Sequence, residues 1–326
     1  MTDIDTYQMA LLESLVSVPY NSASQFHTYV AHNPPAPEFG VACVLQSQDV
    51  TERAEAAGAP KAALLQNGRH VAAVFREEGH LVVLDPYLLH TVPLVVPLEG
   101  GTGGRVVTVP AVPIREDRDG NDVTGRLVAE YFERPASDRF TLTLDYFRFS
   151  PSRQAEVLNR HFKLDSRHLM NQHMSEDEVN SLLTHPEQTS LSIRVVGRDE
   201  FDLAEAILPL HDWQHLSASS APLFVRDNQG RVFRGGSPEA SPVWRAIHRA
   251  AGLDRADVEA HLREAFEIYS NVADPEVRIA PYRLGTSERA ASLHRRYRPR
   301  NVPRGERPTT PPQPPPGRWR RSARTP

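Results

Sequence analysis

The amino-acid sequence predicts an α+β fold, on three observations. Apolar residues recur at helical spacing over residues 4–17, the first of three helices read before residue 58. The apolar period then changes to two over residues 61–150, and strand and helix patterns mix from there onward. No internal repeat is present, so the layout is one succession of elements rather than an array.

Ile4, Tyr7, Leu11 and Leu15 fall on one helical face and predict a first helix, closed by Pro19. Residues 22–32 predict a second, stopped by Asn33-Pro34-Pro35-Ala36-Pro37. The third runs from about Val41 to Ala57, where Gly58 supplies a C′ glycine and Pro60 a stop. Residues 61–66, 69–76, 80–84, 89–98 and 105–114 predict strands separated by turn residues, and residues 140–149 alternate cleanly. Residues 151–185 predict a return to helix, with Ser175 placed as an N-terminal cap. Short strands are expected at 191–196, 223–226 and 231–234, the last two joined by the Asp227-Asn228-Gln229-Gly230 turn. Amphipathic helices over 241–268 close the body.

These elements define four segments. Residues 1–60 form a helical region and residues 61–150 a β region. Residues 151–294 form a mixed α/β part expected to close as a lid, and residues 295–326 a tail rich in proline and arginine. The tail has too few aliphatic residues to offset chain entropy, so it is expected to be disordered.

Charge and cysteine usage exclude several classes. The net charge of −4 conceals ten arginines against Glu306 after His294, leaving about −13 on residues 1–294. An acidic body is not a nucleic-acid surface. No apolar run reaches the roughly 18–20 residues of a membrane span. The N-terminal stretch carries aspartates and no basic residue, unlike a secretory signal. A single cysteine, Cys43, forms neither a disulfide framework nor a thiolate zinc cluster. A cytoplasmic protein without a membrane or nucleic-acid partner is expected.

That thiol stands near the start of the third predicted helix, where unpaired N–H groups and the positive dipole end favour thiolate, the nucleophilic form. The alternative role of a free cysteine is a small buried hydrophobe. Residues 69–87 then read as a hairpin around Glu77-Glu78-Gly79. A turn centred on Glu77 and Glu78 sets His70 directly opposite Asp85, with Cβ atoms about 4.5–5.5 Å apart. Asp85 then orients the imidazole, and the other ring nitrogen is left for the thiol. A bulge at Gly79 would slip the pairing by one and separate the two side chains.

A cysteine opening a helix, then a hairpin with His on one strand and Asp beginning the next turn, resembles the arylamine N-acetyltransferases. It also resembles the wider transglutaminase-like cysteine enzymes. The likeness to the former covers roughly residues 1–185. Val18-Pro19-Tyr20-Asn21 stands where that family tends to carry Ile-Pro-Phe-Glu-Asn, and the interval from His70 to Asp85 matches the family's. Residues 91–98 (TVPLVVPL) resemble its strand after the aspartate, and YFRFSPSRQAEVLNRHF resembles the segment after its barrel strands. The departures are specific. The family's Arg-Gly-Gly-x-Cys is here Phe39-Gly40-Val41-Ala42-Cys43, and the stretch from Cys43 to His70 is shorter than usual. Its Val-Gly-Phe-Gly acyl-CoA loop is here Pro86-Tyr87-Leu88-Leu89, and Leu84-Asp85-Pro86 is closer to the transglutaminase-like signature.

The resemblance implies an N-terminal helical bundle, an antiparallel β-barrel or sheet and a C-terminal α/β lid on a cysteine-protease/transglutaminase-like core. It implies a Cys43–His70–Asp85 triad that transfers an acyl group from a thioester to an amine through an acyl-cysteine, as in the amide-synthase group; an unusual donor and the arginine-rich composition would fit specialised metabolism. No tightly bound cofactor and no metal are expected. The co-substrate is an acyl thioester on coenzyme A or an acyl carrier protein, and the acceptor is a small amine. A transglutaminase-like or peptidase-like hydrolase and a non-catalytic binding module are the alternatives. Oxyanion donors would be the Cys43 N–H with Gln25 or Gln46. His80 and His90 flank the site as rivals to His70. His161, His168 and His173 lie in one predicted helical stretch at offsets of seven and five, not the i, i+4 of a helical metal pair. The Gly100–Gly104 run reads as a connector, since a phosphate loop needs a strand–loop–helix context. Trp213, with His211 and His215, reads as a loop aromatic that could instead line a pocket.

Overall fold

The computed structural model describes residues 2–98, 104–133, 139–171 and 174–282, together with the backbone of 289–290. Helix α1 (Ile4–Ser17) leads through the two-residue strand β1 (Tyr20–Asn21) and two short helical turns to α2 (Cys43–Ala56). Four strands follow: β2 (Ala63–Asn67), β3 (His70–Glu77), β4 (His80–Leu84) and β5 (Leu94–Pro97), paired in that order in one antiparallel sheet. Long hairpins come next: β6 (Arg105–Glu116), β7 (Asp122–Glu133), β8 (Phe140–Ser150) and β9 (Ala155–Asp165). These pair consecutively in a second antiparallel sheet. After α3 (Glu176–Leu183) come β10 (Ser190–Val196), β11 (Leu203–Pro209), β12 (Phe224–Arg226) and β13 (Val232–Arg234), which join β1 in a third sheet. Helices α4 (Ser241–Ala251) and α5 (Arg255–Val272) follow, and β14 (Arg289–Ala290) pairs with the outer edge of β9.

The β2–β5 sheet is covered on both faces. Val50 and Ala54 of α2 and Tyr7 and Leu11 of α1 pack against Ala73, Phe75, Val82 and Leu84. The alternate residues Ala72, Val74, Leu81 and Val83 face Leu127, Leu142 and Leu144 of the second sheet. A strand buried on both faces reads as a continuous apolar run, and Val71–Phe75 with Leu81–Leu84 is such a run. The third sheet packs its own core of Leu191, Ile193, Ala206 and Leu208 under Val243, Ile247, Leu262 and Phe266. Trp244 of α4 is anchored there by its indole N–H, which donates to the Gly235 carbonyl at 2.9 Å.

The expected α+β layout is present as three antiparallel sheets with helices. Several elements differ. No closed barrel is formed among the described strands; the β region is two stacked sheets. The helix expected over 22–32 spans residues 24–30, wide over Phe26–Val30, and Asn21 Oδ1 accepts from the Ala23 and Ser24 N–H groups ahead of it. The stretch 151–185 is strand β9 and then α3, not one helix. Its alternation changes phase at a bulge: Tyr146 pairs with Arg160 but Phe147 with Leu158, leaving Asn159 extra. His161 therefore sits on a strand, bonded to Asp145 at 2.6 Å, His168 sits in the turn beyond it, and His173 lies outside the described residues. Strand β7, unread in the sequence, pairs with β6 across the Asp117–Asn121 turn. Residues 99–103, most of the glycine run, and the tail 295–326 lie outside the described residues. Among the described residues no helix is long and apolar enough to cross a membrane.

Candidate active site

Cys43 is placed by a backbone turn that only glycine makes easily. Gly40 has φ of 75°, and a Cβ built there would stand 2.0 Å from the Pro19 carbonyl oxygen. The chain then runs beside β1: the Val41 N–H donates to Pro19 O at 2.9 Å and the Asn21 N–H to Val41 O at 2.8 Å. Ala42 is the N-cap, with no side chain to satisfy the first-turn N–H groups of α2. Cys43, Ser47, Val50 and Ala54 recur at i, i+4, i+7 and i+11 and form the face toward β3. The Ser47 hydroxyl donates to the Val71 carbonyl at 2.6 Å, and the Cys43 thiol to the Arg69 carbonyl at 3.5 Å. The half-buried thiol is thus fixed beside the first residue of β3, which is His70.

The hairpin brings Asp85 to His70, through a register different from the expected one. Glu77 pairs with His80 and Ala73 with Leu84, so the turn is Glu78-Gly79, with Gly79 at φ of 76°. The pairing is displaced by two residues. A slip of one would have moved Asp85 to the opposite face; a slip of two keeps it on the same face as a diagonal neighbour. Asp85 follows the last residue of β4, and its Oδ2 accepts from His70 Nε2–H at 2.7 Å. Both side chains are buried, and Asp85 Oδ1 and His70 Nδ1 make no hydrogen bond among the described residues.

The electrostatics follow from this enclosure. Burial pulls the His70 imidazole down. The Asp85 charge and hydrogen bond oppose it, the nearby Cys43 adds to both, and the result is pushed up to about 10. Phe162 of β9 stacks on the ring, centroids 3.8 Å apart, and Tyr87 leans against it at 5.3 Å. His90, a rival in sequence, is a support in space. Its Nε2 accepts from the Asp85 backbone N–H at 2.9 Å and its Nδ1–H donates to Val92 O at 2.7 Å. Burial holds it below the ordinary imidazole range.

Of the two glutamines, Gln46 is committed elsewhere: its Nε2 donates to Val18 O at 2.8 Å and ties α2 to the end of α1. The Gln25 side chain makes no hydrogen bond among the described residues and precedes the Phe26–Val30 turn. His80 is bonded to the Glu78 carbonyl at the far end of the hairpin. Trp213 is buried and packs edge-on against Tyr269 in the core of the third sheet. Sequence reasoning missed Tyr20, Tyr87 and Phe162, which surround the cluster. Their signal was positional only: Tyr87 two residues past Asp85, and Phe162 on a strand mistaken for helix.

Among the described residues no group of three or more His, Cys, Asp or Glu is placed to hold a metal ion. No family model, curated protein or solved structure matches the chain.

Proposed function

We propose that the chain is a cysteine-dependent acyltransferase that forms an amide through an acyl-cysteine at Cys43. The observation that carries this reading is the buried His70–Asp85 bond of 2.7 Å, with His70 Nδ1 unpartnered and the thiol at an uncapped helix start beside it. An imidazolium next to a thiol at a helix N-terminus is the arrangement that favours thiolate.

In the reaction proposed, the Cys43 thiolate attacks the carbonyl carbon of an acyl thioester and a C–S bond forms. The carbon–sulfur bond to the donor breaks, and His70 gives its proton to the departing thiolate. An amine then attacks the acyl-cysteine, His70 takes the amine proton, and the Cys43 thiolate leaves as the amide forms. Asp85 holds the imidazole orientation and balances its positive charge throughout. The N–H groups of the first turn of α2 are the donors for the oxyanion, since no side chain caps them. The donor would carry its acyl group on coenzyme A or a carrier protein, and the setting would be cytoplasmic, where the thiol stays reduced.

Incubation with a short acyl thioester should add one acyl mass to the intact protein, and none to Cys43→Ala. An amine should discharge the adduct with formation of amide. Full turnover by Cys43→Ala would sink the reading, and discharge to water at a rate indifferent to amine would assign hydrolysis instead.

A further inference from the structure

A second feature lies on the other side of Tyr87. A cavity of about 220 Å³ opens between the second and third sheets, lined by Arg148 of β8, Arg160 of β9, Arg194 of β10 and Arg226 of β12. The lining contains one carboxylate, Glu205. Glu205 stands across the ladder from Arg194, but its carboxylate pairs with Arg226 at 3.0 Å.

Arg160 and Arg194 are the informative pair, because every contact they make among the described residues is with an uncharged group. Arg160 donates to the Tyr87 hydroxyl at 2.9 Å and to the Asn159 carbonyl at 3.0 Å. Arg194 donates to the Tyr87 carbonyl at 2.8 Å and lies over the Tyr20 and Tyr87 rings at 4.9 and 5.0 Å. These contacts orient the guanidinium planes without offsetting their charge. Both are half-buried, and partly desolvated cations without a paired counter-charge favour an anion entering the cavity.

Local backbone geometry adds a second indication. Consecutive strand residues point to opposite faces, yet Asn159 and Arg160 both line the cavity. The bulge at Asn159 makes this possible, and bulges re-aim side chains beside functional sites. The Asn159 side-chain amide and the Thr189 hydroxyl line the cavity without a hydrogen bond among the described residues, and so stand ready as neutral partners. The volume far exceeds the roughly 10–15 Å³ that one water needs on this measure.

We propose that this cavity binds a phosphoryl group, as a phosphate ester or a diphosphate, with Arg160 and Arg194 as its two forks. A planar guanidinium matches phosphate oxygens bidentately. Two uncompensated guanidiniums suit a doubly charged phosphoryl group better than a single carboxylate. The proposal does not depend on acyl transfer at Cys43.

Calorimetric titration of the full chain tests it, with pyrophosphate, inorganic phosphate and succinate as probes at matched ionic strength. Saturable one-to-one binding of pyrophosphate or phosphate, tighter than succinate, is expected. The stronger of the two phosphate probes identifies diphosphate or monoester as the preferred form. Arg160→Gln should weaken binding about tenfold or more, and Arg194→Lys, which keeps charge but loses the fork, should weaken it too. Cys43→Ala should bind as wild type does, so failure here and failure of acyl transfer are read separately. Should Arg160→Gln not fold, the wild-type titrations and Arg194→Lys decide. Absence of saturable binding to wild type, equal binding of succinate, or wild-type affinity in folded arginine variants would overturn the proposal.

Discussion

His90 does for Asp85 what Asp85 does for His70: it fixes an atom through a hydrogen bond whose direction cannot reverse. A backbone N–H only donates, so His90 Nε2 must accept, and Nδ1 must carry the proton given to Val92 O. His90→Leu leaves the Asp85 N–H buried without an acceptor and should destabilise the protein by about 1–3 kcal/mol in urea unfolding. It should also displace the carboxylate, so that the His70 titration followed by NMR moves down from about 10 toward the ordinary value. A His70 titration unchanged in folded His90→Leu would show that His90 plays no positioning role. Cys43, His70 and Asp85 were legible because their chemistry is written in residue type and interval. The role of His90 was not, because ring direction is decided by the Asp85 N–H and the Val92 carbonyl, which no pattern of side chains reports.

At the level of elements, the legible parts were those whose ends carry turn chemistry. Strand β4 lies over the expected residues, and β12 and β13 meet across the expected Asp227–Gly230 turn. Hairpin register was less legible, since Gly79 with its positive φ moved the turn by one residue and the pairing by two. The side-chain period of two preserved the His70–Asp85 meeting despite that error. Strand β9 was illegible for a physical reason: its bulge changes which parity is buried, Val157 before it and Phe162 and Leu164 after it facing the core. Deleting Asn159 would leave Tyr146↔Arg160 and Phe147↔Leu158 as pairs and remove only the extra residue. The variant should remain folded, with a thermal midpoint within about 4 °C of wild type. Its pyrophosphate affinity should fall a few-fold, because the Asn159 amide leaves the lining while Arg160, still opposite Tyr146, keeps the cavity face. Unaltered affinity would mean that Asn159 is not a partner of the bound group.

Across the whole molecule, the β2–β5 sheet is pressed between α1 and α2 on one side and the second sheet on the other, and its burial sets the alkaline side of the pH response. His70, raised to about 10, holds a proton in the folded state that the unfolded chain releases near pH 6.5. Its contribution is complete below about pH 6.5 and is lost as pH rises toward 10. His261 of α5 has the opposite sign. It stacks between His27 and Phe39, and its Nε2 accepts from Asn21 Nδ2–H at 2.9 Å, a bond that protonation destroys. Burial, with the adjacent His27, lowers it to about 3, so its contribution is present above about pH 6.5 and lost as pH falls toward 3. His90, also lowered by burial, adds in the same direction. The carboxylates held low by partners, Glu13, Glu55 and Glu77, begin to titrate only near their ordinary value of 4.5. Between about pH 4.5 and 6.5 the lowered histidines His261 and His90 make stability rise with pH, each by at most ~1.4 kcal/mol per pH unit, against the opposite sign of Asp202, which burial raises. Urea midpoints measured from pH 4.5 to 10 should trace a dome. His261→Gln, which keeps an acceptor for Asn21 but cannot bind the proton, should flatten the acid limb and leave the alkaline limb in place. His70→Gln should flatten the alkaline limb alone. An acid limb equally steep in His261→Gln would remove His261 from the account and leave His90 as its source.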